Sequence, residues 1–147
     1  MENEKSTEYL MNKLNTVTAQ NFKSYLKEPE VDSRTNLSKY LLEFLGKKDL
    51  SQADVIKKSG LSRGYANNIF NGNRENPSRE KLLTLCVACG MNVVETNRAL
   101  KLAKVSELYA KNSRDAAIIV CLNNGYDIFD VNIFLEDNGM SLLGYED

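Results

Sequence analysis

Residues 51–72, SQADVIKKSGLSRGYANNIFNG, decide the fold of this chain. Ser51 is an N-cap residue, and Asp54, three positions on, forms a capping-box-like pair with it. Leu50 and Val55 occupy the staple positions on either side of that cap. Ala53 is small enough for a close helix crossing, and Val55 and Ile56 supply buried surface. Gly60 stops the helix, because only glycine takes the left-handed conformation without a steric cost. Leu61 is then free to enter the core. Ser62 caps a second helix with Ala66 and Ile69 on its inward face, and Asn71-Gly72 ends it. The pattern predicts two short helices joined by a tight glycine-containing turn.

The same periodicity continues on both sides. Leu37, Tyr40, Leu41, Phe44 and Leu45 recur at i, i+3, i+4, i+7 and i+8, one face of a helix, with Gly46 as the expected left-handed stop. Residues 6–28 read as one or two short helices, with Leu10, Leu14, Phe22, Tyr25 and Leu26 expected to be buried. Residues 27–36, KEPEVDSRTN, read as a linker or exposed turn. No segment sustains apolar–polar alternation, so the expected class is all-α. An internal repeat with an offset of 35 relates residues 78–108 to 113–143, pairing Ser78/Ser113, Arg79/Arg114, Cys86/Cys121, Gly90/Gly125, Asn97/Asn132 and Leu100/Leu135. Each copy predicts a helical hairpin. Ser78 or Ser113 is the polar cap at the first helix start with Glu80 or Asp115 beside it, Gly90 or Gly125 ends that helix, and Asn92 or Asp127 caps the second.

Residues 51–72, the helix before them, and the element NGNRENPSREKLL after them resemble the lambda-repressor-like, Xre/Cro type of helix-turn-helix family. The resemblance spans roughly residues 37–103. It implies a five-helix core, here flanked by N-terminal helices and a C-terminal helical hairpin. The partition it suggests is an N-terminal segment and linker (1–35), a helix-turn-helix domain (36–104) and an acidic hairpin (105–147). It also implies that the helix beginning at Ser62 lies in the major groove of double-stranded DNA. Matched by position, Arg63, Gly64, Tyr65 and Asn68 fall where base edges are contacted. The chemistry suits them: Arg63 can donate twice to guanine and Asn68 can pair bidentately with adenine. Tyr65 either meets a base or packs on a neighbouring helix, and Gly64 allows close approach of the backbone. Gln52, Ser62, Asn67, Asn71, Asn73 and Arg74 fall on backbone-contact positions, which set register rather than sequence. The function implied is a prokaryotic or phage transcriptional regulator, repressor-like and homodimeric. The alternative is a non-enzymatic module that uses the same fold to regulate a protein partner, with the acidic hairpin as its contact.

Charge bears on both. The chain has 19 Lys+Arg and 20 Asp+Glu, a net charge of -1, which taken alone argues against nucleic acid. The average hides a division. Residues 1–35 hold 5 basic and 6 acidic side chains, residues 36–104 hold 12 and 6, and residues 105–147 hold 2 and 8. A basic reader stands beside an acidic extension.

The chain has no histidine, which removes the Ser/His/Asp and Cys/His nucleophile arrangements and zinc sites with a histidine ligand. No Gly-rich phosphate cradle or paired catalytic carboxylates stand out, so neither an enzyme nor a cofactor is expected. Cys86 and Cys89 have C-x-x-C spacing, but with Cys121 they read as small core hydrophobes rather than a metal or redox site. Asn97 and Asn132 are expected to bond the backbone of a neighbouring turn. Three cysteines, a polar start and a longest apolar run of only Ala116 to Leu122 predict a cytoplasmic protein with no membrane segment.

Overall fold

The computed structural model describes residues 2–16, 18–22 and 35–144. Contacts divide the chain into two units, residues 1–35 and 36–147. All regular structure among the described residues is helical, so the fold is all-α.

The described part of the first unit holds α1 (Glu2–Leu14), which starts earlier than the expected Ser6. Leu10 is half-buried, but Leu14 and Phe22 are exposed, contrary to expectation. Tyr25, Leu26 and nearly all of the 27–36 linker lie outside the described residues.

The second unit contains α2 (Leu37–Lys48), α3 (Gln52–Ser59), α4 (Arg63–Phe70), α5 (Arg79–Cys89), α6 (Val93–Leu102), α7 (Ser113–Asn123) and α8 (Ile128–Asp137). Each begins on a short polar cap. The side chains of Asn36, Ser51, Ser62, Ser78, Asn92, Asn112 and Asp127 accept a bond from the N–H three residues on. That satisfies one of the N–H groups a helix start leaves open. In the second repeat copy this cap is Asn112, one residue before the expected Ser113. Only the end of α2 departs clearly from the sequence reading. Gly46 stays inside the helix, and Asp49 takes the left-handed cap at φ 54, its N–H returning to Gly46 and Leu45. Lys47 and Lys48 are good helix formers near the negative end of the helix dipole, and Asp tolerates positive φ better than most residues.

Leu41, Ile69, Phe70, Leu83, Leu100 and Leu135 are among the fully buried side chains of one continuous core. Around it α3 packs on α5, α2 on α4 and α6, and α5 on α6.

The 35-residue repeat is a structural repeat. Gly90 N–H bonds Val87 O and Met91 N–H bonds Cys86 O; Gly125 and Tyr126 repeat both bonds to Leu122 and Cys121. Asn97 Oδ1 accepts from Leu108 N–H at 2.8 Å, and Asn132 Oδ1 from Leu143 N–H at 2.7 Å, as expected of both asparagines. Arg79 donates to Ser106 O and Glu107 O within its own copy, and to both carboxylate oxygens of Asp115 in the other. Arg114 donates to Ser141 O and Leu142 O, and to both oxygens of Glu80 at 2.6 Å. Each copy's arginine therefore grips the other copy's acid, the reciprocity of a two-fold relation. The helix contacts obey it as well, since α5 touches α8 and α6 touches α7.

Candidate nucleic-acid interface

The geometry of α3 and α4 comes from their turn. Ser59, 2 % exposed, donates its hydroxyl to Ile56 O at 2.6 Å and accepts from Leu61 N–H at 3.1 Å. Gly60 sits between them at φ 73. Leu61 then packs on the core. α4 is anchored from inside by Ala66, Ile69 and Phe70, all fully buried. Its last turn is held by the Ser38 hydroxyl of α2, which donates to Phe70 O. The opposite face, with Arg63, Gly64, Asn67 and Asn68 at i, i+1, i+4 and i+5, is turned outward. Arg63 and Gly64 are exposed, while Asn67 and Asn68 are half-buried.

The sequence-predicted residues are brought together in three groups. Gln52, at the start of α3, donates its amide to Asn67 Oδ1 at 3.0 Å, which ties the two helices together and orients Asn67. Asn68 O accepts from Arg74 N–H at 2.9 Å, and Asn71 Oδ1 accepts from Asn73 N–H at 2.9 Å, so the loop after α4 closes back on the helix. Tyr65 leaves the outward face. Its hydroxyl accepts from Ser78 N–H at 3.0 Å, and its ring lies 4.6 Å from the Arg74 guanidinium and 4.3 Å from the Lys81 ammonium. Of the two roles open to Tyr65 in the sequence, the packed one describes this geometry, and Tyr65 thereby steadies two cations beside α4. Ser62 caps α4 through Tyr65 N–H at 3.3 Å.

Residues 36–95 match a family model described as helix-turn-helix. They are a helix-turn-helix domain of the lambda-repressor-like type. The match runs from the cap of α2 into the first turn of α6, less than half of the chain, and leaves α7 and α8 outside it. No curated protein and no solved structure matches the chain. The second helix of the motif is α4. Lysines gather at the C-terminal turns of α2 and α3, Lys47 and Lys48 on the one and Lys57 and Lys58 on the other.

Ser38, Ser59 and Lys81 act in the helix-turn-helix domain without having been singled out by sequence. Ser38 meets Phe70 across 32 positions, and Lys81 lies 16 positions from Tyr65, so no local pattern announces them. Ser59 was legible in principle, since a serine just before a C-cap glycine can bond its own helix end. The cysteines are core residues. All three are buried and free, and burial pushes the Cys89 thiol up to about 12 and raises those of Cys86 and Cys121. Among the described residues, no helix is long and apolar enough to cross a membrane.

Proposed function

We propose that this protein is a sequence-specific DNA-binding transcriptional regulator, repressor-like and prokaryotic or phage in type, that reads the major groove with α4. The observation that carries the reading is the division of α4 into two faces. Ala66, Ile69 and Phe70 are wholly buried, while Arg63 and Gly64 stand exposed at the helix start. Arg63 supplies the fork that recognises guanine, and Asn68 the amide that recognises adenine. Gly64 keeps the backbone close to the groove wall. Gln52 and Asn67, already joined, offer their remaining amide hydrogens to phosphate, Ser62 its hydroxyl, Asn71 and Asn73 their amides, and Arg74 its guanidinium, around the helix and its following loop. Two copies would read two half-sites roughly 34 Å apart.

The test is selection of bound sequences from random duplex DNA by the full chain. The winner is then titrated at about 50 and 200 mM salt, where true phosphate contacts cost orders of magnitude in affinity. Enrichment of one motif with a steep salt slope supports the reading. Failure to enrich any sequence overturns it and leaves the protein-regulating module as the account of the fold.

A further inference from the structure

The two repeat copies share a fold but not a surface. At equivalent positions 35 residues apart, α6 carries Val94, Arg98 and Lys101, and α8 carries Phe129, Ile133 and Glu136. The first set shows that this hairpin is stable with a small apolar residue and two cations on that face. Its fold therefore places no demand for a phenylalanine and an isoleucine in water. Yet Phe129 is 71 % exposed and Ile133 43 % exposed. They line a groove of about 660 Å³ between α8 and the α3–α5 side, with Leu50 and Lys58 among the lining residues. Asp127 and Glu136 line the same groove, Asp130 and Asp137 adjoin them on α8, and α8 has no Lys or Arg. On the α8 side the face is an apolar stripe framed by acids, and Lys58 on the opposite wall is the cation among the lining residues. The acids on α8 disfavour nucleic acid there, and exposed apolar side chains rimmed by polar ones mark a contact site.

We propose that this groove binds a basic amphipathic helix of a protein partner. The partner's aliphatic stripe would lie on Phe129 and Ile133, and its lysines or arginines against Asp127 and Glu136. Acidic frame and basic ligand are complementary in charge, and a groove with an apolar floor is the usual receptor for an amphipathic helix. The apolar and acidic side chains that carry the inference are on α8, outside the helix-turn-helix match, while the opposite wall of the groove, with Leu50, Lys58 and Val87, lies inside it.

The test uses the full chain and two fluorescent synthetic helices of about 18 residues, long enough to hold a helix. Both carry the same leucine stripe, one framed by lysines and the other by glutamates. The lysine peptide is expected to bind saturably and to shift the backbone amides of residues 126–136, and the glutamate peptide to bind roughly tenfold more weakly or worse. The combined variant Phe129→Val, Ile133→Arg and Glu136→Lys gives α8 the residues that α6 already carries. It should keep its helix content and melting temperature while losing roughly tenfold or more in affinity for the lysine peptide. Arg63→Ala should bind the peptide as the parent does, which separates failure here from failure of DNA recognition. Equal binding of both peptides, an unweakened triple variant, or amide shifts centred on α4 would each overturn the proposal. So would a dimer of the parent chain that the triple variant converts to monomer, which would assign the groove to a second copy.

Discussion

Arg63 and Tyr65 are two residues apart and have opposite fates, because a helix turns about 100° per residue. Arg63 stays on the water side of α4, and Tyr65 is carried round to meet Ser78 and Lys81. The proposed reading assigns sequence discrimination to Arg63 and Asn68. Substituting either by alanine should weaken specific binding by about 1–3 kcal/mol and relax preference at one base pair, as measured by titration against single-base operator variants. Arg74→Ala should act differently. It removes a cation held over the Tyr65 ring, so it should weaken all sequences alike and lower the salt slope by about one. A loss confined to one operator sequence would show that Arg74 reads bases instead.

At the level of elements, the repeat supplies an internal comparison. Positions 104 and 139 both adopt a left-handed backbone at the end of a hairpin, with φ 62 at Lys104 and 69 at Gly139. Each N–H closes the same turn, to Lys101 O and Glu136 O respectively. A side chain costs roughly 1–2 kcal/mol in that conformation, so Lys104→Gly should stabilise the protein by about 1 kcal/mol in urea unfolding. Thr96 and Val131 form another equivalent pair, both fully buried. Thr96 Oγ1 has no hydrogen-bond partner among the described residues, whereas valine in the other copy leaves nothing unsatisfied. Thr96→Val is therefore expected to add about 1 kcal/mol, and a loss of stability would show that the hydroxyl has a partner after all.

In the second unit, the two copies are clasped by reciprocal arginine–carboxylate pairs of unequal burial. Asp115 is 5 % exposed and also accepts from Tyr109 N–H at 2.9 Å, so its loss strands a partly buried Arg79 and a loop amide. Asp115→Ala should cost about 2–3 kcal/mol, below the range for a wholly buried pair because Arg79 keeps 24 % of its side chain exposed. Glu80→Ala, whose pair with Arg114 is wetter, should cost about 1 kcal/mol, and denaturant midpoints of the two variants decide the order. Buried weak acids set the alkaline limit. Burial raises the thiols from an ordinary value of 9.0, Cys89 up to about 12, and pushes the Tyr40 hydroxyl from 10.0 to about 12. Between those values the unfolded chain releases protons that the folded chain retains, so stability is complete below about pH 9 and falls as pH rises toward about 12. Melting temperatures measured across that interval should decline, with no comparable fall attributable to these groups on the acid side of pH 8.

Sequence alone determined the helical class, the caps and glycine turn of the 51–72 motif and the 35-residue repeat. All of these rest on interactions between residues a few positions apart, where residue type and spacing dictate the outcome. It also located the basic and acidic halves of the chain. Only the tertiary structure decided that Tyr65 is spent on Ser78, that Ser38 holds the end of α4, and that Arg79 and Arg114 exchange acids between repeats. Those contacts join residues 13 to 36 positions apart, and a pattern in the chain does not record which distant backbone or carboxylate will arrive beside a given side chain. The exposure of Phe129 belongs with them. Its apolar neighbours along α8 look like core in the sequence, and only packing shows which of them the core left outside.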